Sequence, residues 1–172
     1  MDLNRLEQIL GRASGKRIIV IGDLMLDEFV WGKVGRISPE APVPVVEVTG
    51  ESFYPGGAAN VARNLREFID GIAVVGLIGK DRSGQQLRQL FAERKIDIAD
   101  TVEDADFQTI VKTRIIARNQ QVVRVDRERV VRPSSEQVAR VVAAVCVRNS
   151  RRLDMDGSPS STLTPRASLS WI

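Results

Sequence analysis

Two carboxylates, those of Asp23 and Asp27, follow directly on the first strongly apolar segment of the sequence. That segment, residues 18–21, is four consecutive β-branched residues, a pattern typical of a parallel strand covered on both faces. Ligands of open α/β sheets bind outside the carboxyl ends of the strands, and carboxylates accept hydrogen bonds strongly from sugar hydroxyls. The spacing therefore predicts a hydroxyl-binding pair, although each aspartate could instead be a turn residue or a helix cap.

The second candidate for chemistry is the glycine-rich turn at residues 54–62. Gly56 and Gly57 carry no Cβ, so a ligand could approach their backbone closely. The N–H groups that begin the following helix lack intrahelical partners and point at whatever lies there. Asn60 offers a donor and an acceptor to hydroxyl groups. The alternative is an ordinary glycine turn before an amphipathic helix whose apolar stripe is Val61, Leu65 and Phe68.

Two cations form the third candidate. Lys112 and Arg114 interrupt an apolar segment and share one face if that segment is a strand, because side chains alternate with a period of two. Neighbouring cations repel unless an anion lies opposite, and a sugar phosphate would suit both of them. Alternatively, both side chains point into water.

The elements that must position these residues alternate between strand and helix, which predicts an α/β fold built on a parallel sheet. Two β-rich excursions interrupt the alternation, near residues 31–54 and 108–126. Capping-box patterns predict helix starts at Ser83, with Gln86, and at Ser134, with Gln137. Residues 72–79 are predicted to form one buried strand. A connection through Arg118–Gln121 is predicted to join the two strands of the second excursion.

The composition excludes several classes of protein. One cysteine forbids an internal disulfide, and the absence of histidine removes the commonest general base and metal ligand. The net charge of +3 is small and its charges are interspersed, so a nucleic-acid-binding face is not expected. No apolar run is long enough to span a membrane. We therefore expect a soluble, cytoplasmic chain with no nucleic-acid or membrane partner.

The C-terminal segment, residues 147–172, shows no helical or strand period and is rich in Ser, Thr and Pro. It could be a disordered tail. The interpretation that we favour is that the α/β pattern is cut off, by truncation or a frameshift, where its next strand should begin. The predicted domain accordingly covers residues 1–146.

Three segments resemble the ribokinase-like (PfkB) carbohydrate kinases: Gly22-Asp23-Leu24-Met25-Leu26-Asp27, Arg36-Ile37-Ser38-Pro39-Glu40-Ala41-Pro42-Val43-Pro44-Val45-Val46 and Pro55-Gly56-Gly57-Ala58-Ala59-Asn60-Val61-Ala62. With Arg118-Asn119-Gln120-Gln121 and Arg124-Val125-Asp126, they resemble most closely the bacterial D-glycero-β-D-manno-heptose-7-phosphate kinases among them. The resemblance extends from about Lys16 to Val145.

The resemblance implies a Rossmann-like ribokinase sandwich with a small β lid, truncated here before its C-terminal nucleotide-binding half. The family transfers the γ-phosphoryl group of ATP, with Mg²⁺, to the anomeric hydroxyl of a heptose 7-phosphate, on the route to ADP-heptose and the lipopolysaccharide core. The lid often forms a homodimer contact. Carried over by position, the substrate-binding residues are Asp23, Asp27, Gly56, Gly57, Asn60, Lys112, Arg114 and Arg118.

The family's Gly-Ala-Gly-Asp motif, which supplies the catalytic aspartate, does not occur in the 172 residues. The resemblance therefore implies a chain that by itself has no catalytic residue, binds neither ATP nor Mg²⁺, and is inactive as a kinase. The alternatives are a non-enzymatic module that binds sugar phosphate or mediates oligomerisation, and, less favoured, a basic nucleic-acid binder.

Overall fold

A computed structural model describes residues 2–128 and 132–156, in which strands and helices alternate along most of the chain. In chain order the elements are α1 (Leu3–Ser14), β1 (Arg17–Ile21), β2 (Leu24–Ile37), β3 (Pro44–Gly57), α2 (Ala58–Arg66), β4 (Gly71–Val75), β5 (Leu77–Gly79), α3 (Arg82–Glu93), β6 (Val102–Asp104), β7 (Ile110–Ala117), β8 (Gln120–Arg127) and α4 (Ser135–Asp156). The predicted α/β class is confirmed.

The strands form three groups. β1 pairs with β4, and β5 pairs with β6, both in parallel. The two predicted β-rich excursions come together in one four-stranded sheet of order β3-β2-β7-β8, in which only β2 and β7 run parallel. β3 lies at an edge of this sheet, as its flanking prolines suggest. The predicted single strand at residues 72–79 is divided, since β4 ends at Val75 and β5 begins at Leu77.

The core lies between the parallel strands, the buried face of the four-stranded sheet and helices α2 and α3. Its members include Leu24 and Leu26 at the start of β2, Val74 of β4, and Leu87 and Phe91 of α3. Leu24 and Leu26 are buried on one face of β2, so Met25 and Asp27 project from the other. Burial of alternate residues therefore decides which face of the sheet carries Asp27.

Helix α2 packs through small residues and through one member of the predicted apolar stripe, Leu65. Ala59 and Ala62 are fully buried, whereas Val61 and Phe68 are about half exposed, at 50% and 56%. The predicted stripe is therefore wrong at both of these positions. The small alanine side chains at the buried face let the helix backbone approach the strands closely.

Helices α3 and α4 begin differently. The predicted capping box is confirmed at α4, where Ser134 N donates to Gln137 Oε1 over 2.9 Å and Gln137 N donates to Ser134 Oγ over 3.1 Å. At α3 the prediction is wrong, because Asp81 is the N-cap residue and its Oδ1 accepts a hydrogen bond from Gly84 N at 2.7 Å. Asp81 Oδ2 also accepts one from Thr109 N at 2.9 Å, which ties α3 to the segment before β7.

Helix α4 continues through Asp156, ten residues into the segment that was predicted to be aperiodic. The Arg148 guanidinium on this helix forms ion pairs with Asp100, at 2.7 Å, and with Asp97. These bonds raise the pKa of Arg148. Residues 147–156 are therefore helical although their sequence shows no regular apolar face, and the ion pairs of Arg148 contribute tertiary contacts to this helix. Residues 157–172 lie outside the described part of the chain.

Asp81→Ala should lower the free energy of unfolding by about 1–2 kcal/mol, since it removes a helix cap and leaves Thr109 N without its acceptor. Partial burial acts to raise the pKa of Asp81, but the hydrogen bonds from Gly84 and Thr109 outweigh it and hold that pKa below its ordinary value. A lowered pKa stabilises the fold above about pH 4, and this contribution is lost as the pH falls through the folded-state pKa.

Urea unfolding of the wild type and Asp81→Ala between pH 3 and pH 7 would measure this difference. The difference in the free energy of unfolding between the wild type and Asp81→Ala should be largest near neutral pH and should shrink towards pH 3. Asp2, which caps the exposed helix α1, provides the matched control. A difference in unfolding free energy that did not depend on pH would contradict the role assigned to Asp81. An equal loss of unfolding free energy for Asp2→Ala would contradict it as well.

Among helices in the described ranges, none combines the length and the apolar character needed to cross a lipid bilayer.

Candidate functional site

The glycine turn and the end of β1 meet through the backbone of Asp23. Gly57 caps α2 with φ +58° and ψ −133°, and Ala58 N donates to the Asp23 carbonyl over 2.9 Å. A Cβ at Gly57 would lie 2.6 Å from that carbonyl oxygen. Only glycine combines this backbone conformation with so close an approach. Asp23 itself lies in the two-residue connection between β1 and β2, with an exposed side chain.

Gly56 makes room for the second carboxylate. Asp27 lies within β2, so its alternative interpretation as a turn residue or helix cap is wrong. Gly56 pairs with Met25, and a Cβ at Gly56 would stand 2.6 Å from Asp27 Oδ2 and 2.8 Å from Met25 Cγ. The two adjacent glycines therefore have different roles. Gly57 adopts the backbone conformation of the turn, and Gly56 leaves space for the Asp27 carboxylate.

The start of α2 adds polar groups to the same place. No side chain caps this helix, and Asn60 lies half-buried in its first turn. Within residues 2–128 and 132–156 no hydrogen bond of the Asn60 side chain is found. The structure thus brings together five of the predicted substrate-binding residues: Asp23, Asp27, Gly56, Gly57 and Asn60. They present carboxylate oxygens, an amide and helix N–H groups, which together can bind hydroxyl groups.

The two predicted cations do share one face of β7, but carboxylates of the chain itself lie opposite them. Arg114 Nη1 is 2.5 Å from Asp27 Oδ1, with both side chains about a quarter exposed, at 24% and 23%. Lys112 Nζ lies 2.8 Å from Glu128 Oε2 and 3.4 Å from Asp126 Oδ2. The hydrogen bond to Glu128, together with the other nearby carboxylate, raises the pKa of Lys112. Neither cation points freely into water.

Arg118 is the predicted residue that the structure does not bring to the others. It and Asn119 have positive φ values of 50° and 64°, which make the two-residue turn between β7 and β8. The predicted connection is therefore too long, since Gln120 already belongs to β8. Ala117, just before the turn, pairs with Gly32, five residues beyond Asp27 and so about 17 Å along the sheet. Arg118 Nη2 instead donates to the Val34 carbonyl at 3.0 Å.

Aromatic residues on the same sheet face were not predicted as part of the site. Phe29 stacks on Trp31, at 5.9 Å between ring centroids, and meets the Tyr54 ring edge-on at 5.6 Å. The Arg114 guanidinium lies 5.3 Å from the Phe29 ring centroid. Asp27, Phe29 and Trp31 alternate along the sequence, a period-two signal that could have revealed this face once residues 24–31 were assigned to a strand.

In the part of the chain that the structure describes, no group of three or more His, Cys, Asp and Glu residues could hold a metal ion.

Comparison with protein families gives one match that covers most of the chain. The profile described as "pfkB family carbohydrate kinase" matches residues 16–167. This match extends past Val145, beyond the sequence segments that resemble the family.

Curated relatives named "Bifunctional protein HldE" are similar to the chain over most of its length. The relative from Geotalea uraniireducens is 49% identical over 128 residues, which are 74% of this chain and 26% of that protein. The relative from Pelobacter propionicus is 43% identical over 155 residues, 90% of this chain and 32% of that protein. The chain thus spans between a quarter and a third of the length of these relatives.

Solved structures agree on the fold. The Escherichia coli phosphofructokinase-2 in complex with fructose-6-phosphate superposes with a TM-score of 0.54 at 22% identity, over 76% of this chain and 41% of that chain. A carbohydrate kinase from Agrobacterium tumefaciens gives a TM-score of 0.51, also at 22% identity, over 64% of this chain and 35% of that chain. The predicted ribokinase-like fold class is therefore confirmed.

Proposed function

This chain belongs to the pfkB family of carbohydrate kinases, and we propose that it supplies the sugar-holding part of a kinase for D-glycero-D-manno-heptose 7-phosphate. The observation that carries the proposal is the Asp27 carboxylate, which Gly56 admits beside the N-terminus of α2, where no side chain caps the helix. The choice of heptose is supported by the sequence segments that resemble the heptose-7-phosphate kinases and by the relatives named HldE. Phosphorylation of the anomeric hydroxyl would serve ADP-heptose and lipopolysaccharide core synthesis in the cytoplasm.

The two oxygens of Asp27 have different tasks in this proposal. Oδ1 is held by Arg114, and Oδ2 lies on the Gly56 side, where it can accept a hydrogen bond from a sugar hydroxyl. Arg114 is then a positioning residue, because its ion pair fixes the direction in which Oδ2 points. Asp23 and Asn60 bind further hydroxyls, since they lie on either side of the same glycine turn.

ATP and Mg²⁺ enter only as part of the proposal for the longer relatives, where ATP would supply the phosphoryl group. We propose that this chain alone binds neither of them. Its own residues bind and orient the acceptor sugar, which is a large part of catalysis in phosphoryl transfer.

We also propose that the four-stranded sheet is a contact between two copies of the chain. The edge strand β8 is exposed along all eight residues, and it carries Val122, Val123 and Val125 at 41–44% exposure. An unpaired edge with apolar side chains is a template for pairing with another strand. The same edge supports the second candidate function, a non-enzymatic module that binds sugar phosphate and oligomerises.

Asp27→Asn should weaken binding of heptose 7-phosphate by about tenfold or more, since hydrogen bonds to charged groups contribute about 1.5–3 kcal/mol. Isothermal titration calorimetry on the 172-residue chain measures this loss. Asp70→Asn is the matched control, because the Asp70 side chain is 82% exposed and pairs with Arg66, outside the site. If both variants bind as the wild type does, the site is not where we place it.

A further inference from the structure

Tyr54 adjoins the proposed sugar site from the neighbouring strand. It is the only tyrosine of the chain, and it is the cross-strand partner of Asp27. Residues directly opposite in an antiparallel pair have Cβ atoms about 5 Å apart. Tyr54 is 40% exposed, and its ring packs edge-on against Phe29. An aromatic face is thus held beside the carboxylate that the proposed function assigns to a sugar hydroxyl.

Arg63 of α2 adds a cation at the same place. Its guanidinium carbon lies 5.8 Å from the centroid of the Tyr54 ring. Arg63 follows Asn60 by three residues, so the two side chains are neighbours on the helix surface. Across residues 2–128 and 132–156 no ion pair joins Arg63 to a carboxylate.

Two other cations of this face, Arg114 and Lys112, are already paired with carboxylates. Arg114 is paired with Asp27, and Lys112 lies between Asp126 and Glu128. An anionic ligand would have to break these pairs to reach either cation. Among the residues that the structure describes, the Tyr54 ring is the one partner found for the Arg63 guanidinium, and such a cation–ring contact at an exposed site is weak. A phosphate group can therefore reach the Arg63 guanidinium without breaking an ion pair.

We propose that Arg63 binds the phosphate of a phosphorylated sugar while Tyr54 packs against the C–H face of its ring. This inference rests on the proposed function, since it names how the same site recognises its acceptor. The guanidinium fork matches phosphate oxygens with two parallel hydrogen bonds. The apolar surface of the Tyr54 ring would pack against the C–H groups of the sugar, while the negative face of its π-system attracts the Arg63 guanidinium.

Calorimetry on the 172-residue chain separates the two roles, with heptose 7-phosphate and the unphosphorylated heptose as probes. Arg63→Gln should weaken binding of the phosphorylated sugar by about 10- to 100-fold and change binding of the unphosphorylated sugar by less than about twofold. Arg63→Lys should restore part of the loss, because it returns the charge without the fork. Tyr54→Ala should weaken both sugars, and Tyr54→Phe should weaken neither.

The control is Arg12→Gln, a charge removed from the exposed helix α1, which should produce no phosphate-specific loss. An equal effect of Arg63→Gln on both sugars would show a structural role and overturn the inference. A phosphate-specific loss for Lys112→Gln but not for Arg63→Gln would overturn it as well. If the unmodified chain binds neither sugar, the proposed function fails together with the inference. If Asp27→Asn weakens sugar binding as expected but the Arg63 and Tyr54 variants bind both sugars like the wild type, the inference alone is overturned.

Discussion

Gly57→Ala should lower the free energy of unfolding by about 2–6 kcal/mol, the largest loss expected for any single methyl group added near the site. Two costs combine at this position. The backbone, at φ +58° and ψ −133°, is a conformation that residues with a Cβ rarely adopt. The added Cβ would also lie 2.6 Å from the Asp23 carbonyl oxygen and 2.9 Å from Met25 Cε.

Such a loss is a large part of the stability of an ordinary domain, about 5–15 kcal/mol. Urea or thermal unfolding followed by circular dichroism would measure it. Gly50→Ala is the matched control, because Gly50 lies in the same strand, β3, and a Cβ there would meet no atom within 4 Å. If the two variants were equally stable, the tight contact between the glycine turn and the β1–β2 connection would be refuted.

The purified 172-residue chain should show no measurable ATP-dependent phosphorylation of heptose 7-phosphate. Its sequence lacks the Gly-Ala-Gly-Asp segment, and general-base assistance of the kind such an aspartate gives contributes about 10²–10⁴-fold to a rate. Loss of positioning between the phosphoryl donor and the acceptor hydroxyl would lower the rate much further. A coupled assay for ADP release, with and without the sugar, is the appropriate measurement.

A chimera that joins residues 1–145 to the remaining kinase sequence of a relative named HldE serves as the positive control. Sugar-dependent ADP release by the chimera, abolished or strongly reduced by Asp27→Ala, is the expected result. Turnover by the 172-residue chain at the rate of the chimera would contradict the prediction. An active chimera that tolerates Asp27→Ala would instead count against the role assigned to this carboxylate.

The Asp27–Arg114 pair changes how the predicted substrate residues are understood. From the sequence, the aspartate and the arginine are separate ligands of a sugar and its phosphate. In the structure they bind each other, so the pair acts as one group in which Arg114 orients the carboxylate. The proposed phosphate contact therefore moves from β7 to Arg63 on α2, a residue whose sequence context looks like an ordinary exposed helix position.

The sequence by itself determined the local features of this site. Adjacent glycines before a helical pattern predicted the turn at Gly56 and Gly57, because only residues without a Cβ tolerate such close contacts. The β-branched run before Asp23 predicted a strand end there. Period-two alternation placed Lys112 and Arg114 on one face. These properties depend on a few consecutive residues, so spacing and residue type were enough to reveal them.

Helix boundaries were decided only partly by local sequence. Ser134 and Gln137 form the capping box that their spacing predicts, but Asp81 displaces Ser83 as the cap of α3 because its second oxygen also binds Thr109 N, 28 residues away. Val61 and Phe68 fit a helical stripe with Leu65, yet Val61 is half exposed and Phe68 lies beyond the end of α2, so Leu65 and the alanines make the contacts with the core. In each case a contact that is distant along the chain outweighed a correct local preference.

The partners of the charged and aromatic side chains were decided by the tertiary structure alone. Asp27 and Arg114 are 87 residues apart in the sequence, and they meet because β2 and β7 pair in parallel with one particular register. A different register would give each of them another neighbour. The same register places Arg118 far from Asp27, and the packing of α2 on the sheet brings Arg63 over Tyr54. Sequence spacing reports which face a side chain is on, but only the pairing of distant strands decides what lies opposite it.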